Sequence, residues 1–186
     1  MKLTALFVSA AAVVLAAPTA NPNNPEIEAR NTQFVSPKDT FLHYINTGVT
    51  NHDIYGRPLV VKNGKAAEET SAVVTFVFDG SYNGRRCRLR FDTSPGDVSK
   101  GSQQLDVYSV INPPTWPIQS PFSRDQHYGR IYVLVPGTAQ WVQGYNGYPE
   151  FDCPVNKRIG YEFVGVYDYD IIGWNVGSTG PRIEVL

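Results

Sequence analysis

Two pairs of acids in this chain stand at i, i+2 spacing: Glu150 and Asp152 in PEFDCP, and Asp168 and Asp170 in VYDYDI. Alternate side chains of a strand share a face, which sets the members of each pair about 6.6 Å apart along the backbone. A glycosidase needs two carboxyls flanking the scissile bond, one with a raised pKa, so either pair suits a small glycan hydrolase. Acids on an outer strand face also serve simply as solvated or ion-paired groups, and both readings stand. The ordered loop of a calcium site is missing. His43, His52 and His127 lack ligand spacing, so no metal is expected. GxSxG, HExxH, P-loop and CxxC motifs are all absent, and no cofactor is expected.

The stretch QWVQGYNGYPEF offers binding chemistry instead. Trp141, Tyr145 and Tyr148 lie beside Gly144, Asn146 and Gly147, the residue types of a turn. Rings held out by such a turn can stack on sugar faces or meet a protein partner. The alternative places Trp141 in the core with the tyrosines over a sheet edge.

RRCRLRF, residues 85–91, sets one cysteine among arginines. By strand alternation Cys87, Leu89 and Phe91 face inward, and Arg86, Arg88 and Arg90 form an outward row. Glu162, Asp168 and Asp170 are the comparable acidic row, and adjacent strands would pair the two rows across the ladder. The net charge of −1 gives little counterion release on a polyanion, so nucleic acid is not an expected partner.

The elements that must hold these groups are strands. SAVVTFVFDG, CRLRFD, QLDVYSV, RIYVLVP, AQWVQG, YEFVGVYDYDIIGW and PRIEVL are β-branched and aromatic runs split by Gly, Pro, Asn and Asp. A helical period is weakly present only at KAAEETS. The pattern predicts an all-β fold, a two-layer antiparallel β-sandwich with one disulfide. Residues 1–17 read as a signal peptide, 18–30 as a short linker or pro-segment ending in Arg30, and 31–186 as a single sandwich domain. The mature N-terminus would fall near Ala17 or Asn31. The leading apolar run, about 15 residues, is short of the roughly 20 needed to span a bilayer, so no membrane anchor is expected. In a secreted chain Cys87 and Cys153 pair by default, stabilising it by roughly 4 kcal/mol in the chain-entropy model.

From about Val73 to Leu186 the chain resembles the fungal But2 C-terminal domain family. The resemblance is carried by CRLRF at 87, GSQQLDVYS at 101, TW at 115, FDCP at 151, GYEF at 160 and the final GPRIEV. It implies a compact β domain, often secreted, with no catalytic residues to carry over. The family name points to a cytosolic partner in the ubiquitin-like activation pathway, whereas the signal peptide points outside the cell. The expected function is that of a secreted, non-catalytic binding protein at the cell wall or in a host's extracellular space, where it could act as an effector. Its partner would be a glycan or a protein. The alternative is a small carbohydrate-active enzyme using Glu150, Asp152, Asp168 or Asp170.

Overall fold

The structure is a computed structural model that describes residues 32–55 and 58–186. The signal peptide and linker expected over 1–30 lie outside the described residues. In chain order the first eight strands are β1 (Gln33–Val35), β2 (Asp39–Tyr44), β3 (Thr50–His52), β4 (Pro58–Lys62), β5 (Thr70–Phe78), β6 (Arg86–Thr93), β7 (Val98–Gly101) and β8 (Gln104–Ile111). They are followed by β9 (Ser123–Tyr132), β10 (Gly137–Thr138), β11 (Gln140–Gly144), β12 (Glu150–Asp152), β13 (Lys157–Gly165), β14 (Asp170–Gly173) and β15 (Gly180–Val185). KAAEETS forms a turn over residues 66–68 that runs into β5 at Thr70, rather than a helix. Among the described residues no helix is long and apolar enough to cross a membrane.

Two antiparallel sheets pack face to face, as alternating apolar patterns require. The smaller runs β1-β15-β6-β10, with β12 also on β6, and the larger runs β11-β9-β8-β13-β5-β4-β14-β7, with the β2/β3 hairpin added through β5. Leu89 and Phe91 of β6 and Ile183 of β15 meet Val74 and Phe76 of β5, Leu105 and Val107 of β8 and Phe163 of β13 in one buried cluster. Edge-on rings lock the middle of this core, with Phe91 5.1 Å from Trp174 and 5.6 Å from Phe163. Cys87 and Cys153 are bonded and buried, tying the chain that leaves β12 back to β6.

The strands most readily seen in the sequence are the central ones. β5 departs from simple alternation because the outer face of the large sheet is also covered: Phe41, Val73 and Val110 form a second cluster beneath Ile118 and Phe122 of the 112–122 loop. That loop is anchored where the Thr75 hydroxyl donates to the Pro114 carbonyl, 3.0 Å away. The run YEFVGVYDYDIIGW is not one strand. It turns between β13 and β14, where Tyr167 takes φ +57°.

Candidate functional site

The four acids considered for catalysis are distributed over three unrelated places. Glu150 and Asp152 share a face of β12 as the i, i+2 spacing predicts, and each lies opposite an arginine of β6: Glu150 opposite Arg88, Asp152 opposite Arg86. They are ion-paired there at 2.5 and 2.7 Å. Hydrogen bonding and charge from Arg88 hold Glu150 below the usual carboxylate range. Asp168 is exposed in the β13/β14 turn, whereas Asp170 is fully buried. The turn breaks the alternation, so the two do not share a strand face. The Asp170 carboxylate accepts from the Ser102 hydroxyl and the Gln103 and Val166 amides, tying the β7/β8 connection to the β13/β14 turn. Burial raises its pKa, and these donors oppose the rise.

The expected pairing of Arg86, Arg88 and Arg90 with Glu162, Asp168 and Asp170 is also corrected. β6 belongs to the small sheet, while β13 and β14 belong to the large one. The arginines pair instead with acids of their own sheet. Arg88 reaches Glu184 at 3.3 Å as well as Glu150, and Arg90 reaches Asp92 at 3.1 Å and Glu184 at 3.6 Å. Arg182 lies directly opposite Arg90 in the ladder, and Asp92 resolves that like-charge contact by pairing with both. The result is a neutralised lattice on the outer face of the small sheet.

Glu162 is buried in the large sheet, where Arg124 grips both oxygens at 2.8 and 2.9 Å and the Ser71 hydroxyl donates at 2.6 Å. His43 lies opposite Ser71 in the β2/β5 ladder, but its Nδ1 meets the Thr50 hydroxyl at 2.8 Å. The serine hydroxyl donates its hydrogen bond to the glutamate rather than to the histidine, and it is wholly buried. This is a structural network, not a nucleophilic triad. Burial lowers the His43 pKa further, despite the opposing charge of Glu162.

The three aromatic candidates also separate. Trp141 packs against the core and its indole N–H points to the Leu89 carbonyl at 3.4 Å, a contact between the two sheets. Tyr145 lies on the outer side, tilted against His127, which in turn stacks on Tyr108. Tyr148 lines a concavity that Trp141 and Tyr145 do not.

That concavity is a groove of about 610 Å³ at one end of the large sheet. β13 pairs with β5 over Lys157–Phe163 but with β8 only from Tyr161, opposite Ser109. Past Ser109, β8 stays with β9 and leaves β13, so the sheet splits into a wedge. A register irregularity in β8/β9 around Tyr108 and Val110 aims Asp125 and Gln126 at the opening. Ser109 holds both, its hydroxyl accepting from the Gln126 backbone N–H at 2.9 Å and donating to Asp125 at 3.2 Å.

The floor is aromatic. Tyr148 stacks on Tyr128 at 3.9 Å and on Phe151 at 5.1 Å, and its hydroxyl bonds that of Tyr161 at 2.7 Å. Burial drives both phenols upward in pKa, so they stay protonated at neutral pH. The turn that delivers Tyr148 is written locally. Asn146 and Gly147 both take positive φ, +54° and +85°, as a type I′ turn demands, and the Tyr148 amide closes it on the Tyr145 carbonyl at 3.0 Å. Gly144 is required because a Cβ there would strike the Tyr148 carbonyl. Around the rim stand the amides of Asn112, Gln126 and Asn146 and the cations Lys157 and Arg158.

Tyr128, Phe151, Tyr161, Gln126, Lys157 and Arg158 were not identifiable as a site from sequence. Their alternation reads only as strand, and a split between β8 and β13 leaves no local signature. Among the described residues no group of three His, Cys, Asp or Glu side chains converges to hold a metal. No family model matches the chain, and no curated protein matches it.

Proposed function

We propose that the protein is a secreted, non-catalytic binding module whose groove takes a glycan. The observation that carries this is the groove's makeup: stacked tyrosines on the floor, amides at the rim and Asp125 as the one carboxylate among its lining residues. The aromatic floor supplies apolar contact to a sugar's C–H surface, and Asn and Gln amides both donate and accept, which suits hydroxyl recognition. A hydrolase would need a second carboxyl near Asp125. Glu150 and Asp152 are committed to the arginine lattice, Asp168 lies in a turn and Asp170 is buried. The buried disulfide suits an extracellular setting. The But2-like resemblance agrees with a binding role but is not what the reading rests on.

The test is a glycan panel titrated against purified mature protein, with reducing-end release followed on the same glycans. Gln126→Ala should weaken binding by roughly 2- to 10-fold, the worth of one hydrogen bond, at unchanged Tm. Release of reducing ends, lost in Asp125→Asn, would replace this reading with the hydrolase.

A further inference from the structure

We infer that the glycan this groove selects is anionic, bearing carboxylates or sulfates, and that Lys157 and Arg158 read the charge. The inference rests on the glycan reading and narrows it.

Elsewhere on the protein the described arginines have partners. Arg86, Arg88, Arg90, Arg124, Arg130 and Arg182 each pair with a carboxylate, and Arg85 donates to the Leu186 carbonyl. Arg158 is the one described arginine whose side chain has no such partner. Across the β5 ladder it faces Val77, and Lys157 faces Phe78, whereas Arg86 and Arg88 of the lattice face Asp152 and Glu150. On the other side β8 has already departed, and among the described residues neither Lys157 nor Arg158 forms an ion pair.

These two cations are neighbours on the strand edge that forms one wall of the groove. Alternation sends their side chains to opposite faces of β13, so they flank the opening from above and below. Asp125 offsets one of the two charges from the far wall, and Ser109 already donates to it. The groove is left with a net positive charge in a protein whose overall charge is −1. An exposed guanidinium presents a planar fork suited to a carboxylate or sulfate, and a neighbouring ammonium adds a point charge.

Charged residues also protect free strand edges against pairing with other chains, and an experiment has to separate the two roles. The probes are polygalacturonate, dextran sulfate, a neutral β-glucan of similar length and single-stranded oligo-dT, each titrated at low and moderate salt. The expected result is binding to polygalacturonate or dextran sulfate at least tenfold tighter than to β-glucan and weakening with salt. Which of the two binds tighter identifies the anion. Lys157→Gln/Arg158→Gln should abolish that preference at unchanged Tm, and Arg86→Gln should leave it intact.

Equal binding to β-glucan in wild type and double variant would overturn the charge inference and leave the glycan reading standing. Binding to none of the glycans would remove both. Equal affinity for oligo-dT, or a double variant that only aggregates, would reduce the pair to a generic cation patch or an edge guard.

Discussion

The outer face of the small sheet and the split end of the large one both display arginine on a strand, and they use it in opposite ways. In β6 the register sets acids across from Arg86 and Arg88, Asp92 and Glu184 pair with Arg90, and the cations are neutralised within the sheet. In β13 the ladder sets hydrophobic residues across from Lys157 and Arg158, and the neighbouring strand has turned away. The richer cluster therefore has little charge left for a ligand, and the sparser one retains it. Local abundance of a residue type is a poor guide to a site; what matters is whether the fold has already supplied its partner.

The comparison can be broken from the lattice side by cutting what holds β12 against β6. Replacing both Cys87 and Cys153 with Ala should cost about 2 to 5 kcal/mol, the largest single effect expected, read as a fall in Tm by calorimetry. Unchanged stability would mean that the lattice and ladder suffice without the covalent tie.

Next in size is the Arg124–Glu162 pair on the large sheet. Arg124→Met strands the buried Glu162 carboxylate with only Ser71, at about 2 to 4 kcal/mol, somewhat below a fully buried pair because the Arg124 side chain is 40% exposed. Glu162→Gln, which leaves an amide against a partly hydrated guanidinium, should cost less. Denaturant melts that ranked the two in reverse order would show that Arg124, not Glu162, is the stranded group.

Smallest are the lattice charges, and pH resolves them. Burial favours protonation of Asp92, but the Thr138 hydroxyl and the Arg182 and Arg90 guanidiniums outweigh it and lower its pKa. A depressed carboxylate binds fewer protons folded than unfolded. Its stabilisation is complete above the unfolded value of about 3.9 and is lost as pH falls through the lower folded value. Asp92→Asn should flatten the acid limb of the Tm–pH curve, and Arg88→Ala should cost at most about 1 kcal/mol. Neither should alter glycan affinity; a loss of binding in Arg88→Ala at unchanged Tm would make the lattice a site after all.

Much of this was legible in the chain. Period-two runs set the all-β class, two cysteines behind a segment that reads as a signal peptide pointed to the disulfide, and alternation put Cys87 inward with Arg86, Arg88 and Arg90 outward. Asn146-Gly147 announced its turn, because only a few residue types tolerate two successive positive φ angles. Alternation says which face a side chain takes, but nothing local says which strand lies beside it. The sequence therefore could not tell that Glu162 pairs with Arg124 instead of the β6 arginines, or that Asp168 and Asp170 part at a turn. Nor could it show that Tyr148 meets Tyr128 and Tyr161 while Trp141 and Tyr145 go elsewhere. Those outcomes depend on which strands become neighbours, and strand order is set by packing two whole sheets over one core. The groove depends on it most, since it exists only where β8 and β13, adjacent for half their length, come apart.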